Sequence, residues 1–222
     1  MLLKHLYMSF SLVMLLLACN KDKSVGAASI KHKPGIILNG EAEMSLMYLG
    51  NTPDPGAKAL DLKDGDISAF VTSDWSSRVH QSLIGTYTVT YKASNKAGDV
   101  GSAIRQVNVC YMADNLQGVY NSTVYAYNSI YGTVPVTLTL GDKPSQVIIN
   151  SIIVFPYVIG AFQATATLSG LYHDEISFDC VDKGAHLTGS GTIPFGGKKI
   201  SFTSTITTSN SSVTFTEDLS RQ

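Results

Sequence analysis

Several groups of side chains in this 222-residue chain could do chemistry. His173-Asp174-Glu175, with His186 further on, supplies the imidazoles and carboxylates that acid–base catalysis or a metal centre requires. Asp61, Asp64 and Asp66 gather carboxylates as a hard cation would. Trp75, Tyr125, Tyr127 and Tyr157 offer flat rings that can stack on the apolar face of a sugar. Each group also has a plainer use. No HExxH, GxSxG, P-loop or cysteine–histidine signature accompanies the histidines, and they fall in an expected turn, so solvated turn residues are the better account and no enzyme is expected. The aspartate spacing does not fit an EF-hand, and Asp-Gly suits tight turns for backbone reasons, so neither a metal nor a cofactor is expected. Burial in a core suits Trp75 better than a sugar platform, and the tyrosines suit a β core or its rim.

Three cysteines remain, and the first has the most telling context. Lys4 precedes the apolar run Phe10 to Leu17, the layout of a secretory signal peptide over 1–18 that is too short to span a bilayer. The run ends Leu16-Leu17-Ala18-Cys19, which resembles the bacterial lipobox. The resemblance implies cleavage before Cys19 and its lipidation with acyl chains such as palmitate. Each buried methylene stabilises such an anchor by about 0.8 kcal/mol, and two or more chains hold it stably. Residues 19–33 are small and polar at first, as a flexible tether would be. In Bacteroidota an acidic cluster after the cysteine directs lipoproteins to the cell surface; here Asp22 stands between Lys21 and Lys23. The expected location is therefore the outer membrane, with its surface and periplasmic faces both open.

The formal net charge is −1, so nothing points to nucleic acid. A charged fraction of 15%, with abundant Thr, Ser, Val, Tyr and Gly, favours strands. An oxidising exterior would permit a disulfide between Cys110 and Cys180. Their strand faces argue for two separate thiols, since Cys180 alternates with Ile176 and Phe178 on a core face while Cys110 falls opposite Val107 and Val109.

Two β modules are expected, at 34–112 and 113–222. In the first, Tyr87, Val89, Tyr91 and Ala93 share one strand face and Thr86, Thr88, Thr90 and Lys92 the other, and Ile104 to Val109 returns as the partner strand. Gly35-Ile36-Ile37-Leu38-Asn39-Gly40, Asp54-Pro55-Gly56-Ala57, Asp64-Gly65-Asp66-Ile67, the Gly85 to Ala93 strand and Arg105-Gln106-Val107-Asn108-Val109 occur in that order. This module resembles the bacterial immunoglobulin-like domain also found in pesticidal crystal proteins, which implies a β-sandwich used as a spacer or adhesion module. Asn51-Thr52-Pro53 departs from the family pattern, which more often places an aromatic there.

The second module offers eight candidate strands near 118–128, 133–140, 145–152, 161–168, 174–181, 185–193, 198–208 and 211–217, at the spacing of an antiparallel sandwich or barrel. Tyr125 and Tyr127 are expected on one strand face, with Tyr131, Phe155 and Tyr172 elsewhere in the module. Its Leu116-Gln117-Gly118-Val119-Tyr120 opening behind a lipobox and the first module resembles two-domain lipoproteins of gut Bacteroidota. That resemblance implies glycan capture beside uptake machinery. The expected protein is thus an all-β, non-enzymatic binding lipoprotein, with the membrane as one partner and a glycan or a surface protein complex as another. A structural or adhesive lipoprotein without a small-molecule ligand is the alternative.

Overall fold

The computed structural model describes residues 31–127, 129–153, 161–182 and 184–222. Cys19, the leader and Tyr157 lie outside the described residues. Strand-forming residues separated by Gly, Pro and Asp turns give seven strands first: β1 (Gly35–Leu38), β2 (Glu43–Met47), β3 (Ala57–Asp61), β4 (Gly65–Asp66), β5 (Thr72–Ser73), β6 (Gly85–Ser94) and β7 (Val100–Cys110). They form two sheets, β1-β3-β4 and β2-β7-β6-β5, with β2 parallel to β7 and the other pairs antiparallel. Alternation decides the core: Val89, Tyr91 and Ala93 from β6 meet Val107 and Val109 from β7, while Thr86, Thr88 and Lys92 face outward. A short helix α1 (Trp75–Arg78) lays Trp75 against this core. Gly101 is required by close approach, because a Cβ there would come within 2.0 Å of the Pro34 carbonyl oxygen.

Helix α2 (Ala113–Leu116) then leads to β8 (Gly118–Ala126), β9 (Ser129–Leu140), β10 (Gln146–Ile153), β11 (Ala161–Ser169), β12 (Glu175–Asp182), β13 (Ala185–Thr192), β14 (Lys199–Thr207) and β15 (Ser212–Arg221). Each pairs antiparallel with the next, and β15 returns to β8, closing a barrel. Of the two architectures open from sequence, the barrel forms because β15 runs to Arg221 and pairs with β8 over Tyr120 to Tyr125. Closure leaves the barrel no free edge. Inward positions are apolar, such as Val136, Leu138, Ile149, Phe162, Leu187 and Phe202, whereas outward ones include Thr137, Thr165, Ser177 and Thr203. This is the reverse of a membrane-spanning barrel, whose outer band is apolar. Gly189 makes room for an aromatic filler: a Cβ there would sit 2.2 Å from Cζ of Phe178, whose ring meets Phe202 edge-on at 5.4 Å.

One local expectation is corrected. β8 ends at Ala126, so Tyr127 does not continue the face of Tyr125; it sits in the following turn with a left-handed φ of 49°. Cys110 is buried although it lies on the opposite face from Val107 and Val109, because its end of β7 is covered on both sides, and its thiol reaches the Leu46 carbonyl at 3.7 Å. Cys110 and Cys180 are both free thiols.

The sandwich and barrel cores join through Tyr48, Tyr111, Ala113 and Leu116. Tyr111 donates its hydroxyl proton to the Pro194 carbonyl at 3.2 Å and accepts from the Gly196 amide at 2.8 Å, while its own amide bonds the Tyr172 carbonyl. Asn115 Nδ2 donates to the Tyr48 carbonyl at 2.7 Å, and the Tyr48 and Tyr111 rings meet edge-on at 5.5 Å.

Candidate functional site

Among the described residues, the histidines, the aspartates and the aromatic candidates singled out for chemistry do not converge on one site. His173, in a turn with φ 53°, uses Nδ1 to donate to the Tyr111 carbonyl at 2.7 Å, at the barrel end that meets the sandwich. His186 lies toward the other end and pairs with Asp179 at 2.7 Å on the outer surface. Asp61 accepts from the amides of Lys63 and Asp64, Asp64 from Lys96, and Asp66 from Ser68. The side-chain and backbone bonds from Ser68 hold the Asp66 carboxyl below its usual range. These carboxylates thus cap their own turns and the neighbouring one.

The aromatic candidates divide by exposure. Trp75 is 9% exposed, so its indole packs in the core and presents no stacking face. Tyr125 is half-buried on the outside of β8, opposite Ile130 on β9. Tyr127 and Ile130 are each 65% exposed and Tyr131 38%, which gathers rings and an apolar side chain around this hairpin tip. Tyr172 lies at the other end, with its hydroxyl 3.5 Å from Thr86 Oγ1.

A different set stands out inside the barrel. Val213, Phe215, Glu217 and Leu219 alternate inward along β15, so Glu217 is carried into an apolar interior by the same pleat that buries its neighbours. Its side chain is fully buried, and Oε2 accepts a hydrogen bond from Ser122 Oγ on β8 at 2.8 Å. Oε1 has no protein partner among the described residues, and neither has the buried Ser204 hydroxyl on β14, the strand on the other side of β15. Burial raises the Glu217 carboxyl to about 8, with the Ser122 bond pulling weakly the other way. β11 stands four strands away in either direction round the ring, and its inward residues include Ala164 and Ala166.

Reading the chain for known motifs missed this set, although a signal existed. A glutamate on the same parity as Val213 and Phe215, in a strand paired with one that buries Ile200, Phe202 and Ile206 around Ser204, is an inward carboxyl by alternation alone. Cys180 is half-buried on the inward face of β12, near the barrel end away from the sandwich, and burial raises its thiol above the usual range.

Comparison with known proteins adds the following. Residues 36–109 match the family model described as bacterial surface protein, Ig-like domain. No curated protein matches the chain. Among solved structures, the lipoprotein BT2262 from Bacteroides thetaiotaomicron is 17% identical with a TM-score of 0.35, covering 85% of this chain and 100% of its own. A structure of CBM51-2 in complex with GlcNAc and INT domains from Clostridium perfringens ZmpB is 14% identical with a TM-score of 0.29, over 85% of this chain and 44% of that one. A second ZmpB structure, of the M60 catalytic domain with CBM51-1 and CBM51-2, is 15% identical with a TM-score of 0.30, over 86% of this chain and 21% of that one. The region 36–109 is thus an Ig-like sandwich matching a bacterial surface-protein family, and a closed eight-stranded β-barrel follows it.

Proposed function

We propose that this chain is an exported cell-envelope lipoprotein, held to the membrane through Cys19, that binds rather than catalyses. The observation that carries this reading is the match of 36–109 to a bacterial surface-protein Ig-like family, behind a segment ending Leu16-Leu17-Ala18-Cys19. In this reading the sandwich spaces the barrel from the membrane. The bonds around Tyr111 and Asn115 support a stiff spacer, since they tie the sandwich end to two barrel turns and to helix α2. A non-catalytic role is favoured by the engagement of His173 with a backbone carbonyl and of His186 with a surface aspartate.

The finer proposal is glycan capture at the β8–β9 tip, where Tyr125, Tyr127 and Tyr131 offer rings to a sugar face. Ile130, exposed among them, favours a second reading in which the same tip contacts a protein. Glycan-array binding of the mature chain separates the two. Capture is expected to fall at least tenfold in Tyr125→Ala/Tyr127→Ala, and unchanged binding would refute the tip as the site. Cys19→Ser is expected to move the protein from the membrane to the soluble fraction, and a variant still processed and membrane-bound would refute the anchor.

A further inference from the structure

We propose that the cleft between helix α1 and the outer face of β6 binds a short acidic oligosaccharide, one of whose carboxylates pairs with Arg78. The cleft lies on the sandwich, apart from the β8–β9 tip, and it makes the sandwich a ligand-binding module as well as a spacer. The pleat that sends Val89 and Tyr91 into the core turns Thr86, Thr88 and Thr90 outward, and these three form the floor. Ser77, Arg78 and His80 form the wall, and the enclosed space is about 500 Å³, within the range of ligand clefts. A second hollow of about 370 Å³ continues from Asp74, Arg78 and Thr90 to Thr72 and Lys92. At the barrel end the Tyr172 hydroxyl stands 3.5 Å from Thr86 Oγ1. From Thr86 to Lys92 the floor runs about 20 Å at the rise of a strand, which suits a chain of sugars better than one compact molecule.

Arg78 gives the cleft its chemistry. Its Nε donates to Asp74 Oδ2 at 3.4 Å, and Asp74 Oδ1 accepts from the Thr90 amide at 2.7 Å, so the guanidinium is positioned from the floor strand itself. Nη1 and Nη2 donate to nothing among the described residues, and the side chain is 65% exposed. Two open guanidinium nitrogens match the two oxygens of a carboxylate. Asp74 is the one carboxylate among the described residues lining either hollow, against Arg78 and Lys92, so an anion meets net positive charge. Glu43 stands two strands away from Thr88, beyond Gln106. The Thr88 and Thr90 hydroxyls make no hydrogen bond to the described residues, and Thr86 Oγ1 donates to Asn108 Oδ1 at 2.6 Å while its lone pairs stay open. The floor thus offers donors and acceptors to sugar hydroxyls. The Tyr87 hydroxyl donates to the Leu83 carbonyl at 2.7 Å and its ring meets His80 edge-on at 6.3 Å, which fixes the wall where it leaves α1.

The test is calorimetric titration of the mature chain with short oligogalacturonates and oligomannuronates, beside their methyl esters and a sulfated galactan of equal length. Uronate binding is expected to be at least tenfold tighter than ester binding and to weaken as salt rises. Arg78→Ala should lower uronate affinity at least tenfold. Arg78→Lys, which keeps the charge and loses the fork, and Thr88→Val, which loses one hydroxyl, should each lower it several-fold. Both residues are exposed, so these variants should unfold as the unsubstituted protein does. Binding of neither uronate, equal binding of the esters, or unchanged affinity in Arg78→Ala would each overturn the proposal, and tighter binding of the sulfated galactan would overturn the carboxylate as the group Arg78 reads. Tyr125→Ala/Tyr127→Ala should leave uronate affinity unchanged. A loss there would assign uronate to the tip and overturn the cleft, whereas failure of the Arg78 variants alone leaves the tip reading untouched.

Discussion

Arg105 in the sandwich and Glu217 in the barrel are both fully buried ionisable side chains, yet their surroundings treat them in opposite ways. Arg105 Nε donates to the Glu41 carbonyl at 3.0 Å, Nη1 to the Tyr91 hydroxyl at 3.0 Å and Nη2 to the Asn39 carbonyl at 2.6 Å. Asp54 lies 3.8 Å from Nη1 and also takes the Tyr91 hydroxyl proton, the Ser73 hydroxyl and the Gly56 amide. Burial alone would raise the Asp54 carboxyl, but the bonds from Tyr91, Ser73 and Gly56, with the Arg105 charge, outweigh it and hold it below the usual range. Among the described residues Glu217 has one hydrogen-bond partner and no opposite charge beside it, and burial pushes its carboxyl up. A satisfied buried charge pins loops together, whereas an unsatisfied one is a cost the fold carries, and such costs gather at functional sites.

The largest effect is expected on the satisfied side. Arg105→Ala would strand Asp54 and the Asn39 and Glu41 carbonyls, and should cost about 3–5 kcal/mol in denaturant unfolding. A loss under about 1 kcal/mol would mean that Arg105 is no more a tie than Glu217.

The second effect is one of sign. Because Glu217 has a folded-state pKa of about 8 against 4.5 for the ordinary group, its contribution to stability is fully present below pH 4.5 and is lost as pH rises to about 8. The loss is about 1.4 kcal/mol per unit within that window. Glu217→Gln should remove this slope and stabilise the protein at pH 8. Asp54 runs the other way: its contribution is present above 3.8 and is lost as pH falls through its lowered folded value. Hydrogen exchange resolved by strand should therefore show β14 and β15 tightening on acidification while β6 and β7 loosen. The same direction in both regions would break the contrast.

A smaller effect tests whether the regions respond separately. Tyr111→Phe removes two hydrogen bonds between them and should cost about 1–2 kcal/mol. Exchange protection should fall mainly in the 193–198 turn, without altering the pH slopes of either charge. Tyr127→Ala, at an exposed tip, should change stability by less than about 0.5 kcal/mol, read from the same unfolding curves.

Much of the fold was legible because alternation is local. The eight strands of the second module lie within a few residues of their expected limits, and Val89, Tyr91, Val107 and Val109 take the core face that period-2 patterning assigns them. The candidate site was less so. Tyr125 and Tyr127 share parity in the sequence, but β8 ends at Ala126, two residues before its expected limit, which separates them. His173 and His186 looked like members of one cluster, yet β12 runs between their positions and carries them toward opposite ends of the barrel.

Pattern and composition alone determined that the chain is all-β, where its strands fall, and which face of each is apolar, since these depend on neighbours within a few residues. Only the tertiary structure decided that the second sheet closes, because pairing of β15 with β8 joins residues about a hundred positions apart. That closure sets Ser122 beside Glu217 and leaves Glu217 Oε1 and the Ser204 hydroxyl without a protein partner among the described residues. Whether a buried polar group is satisfied depends on what the folded chain brings to it from a distance.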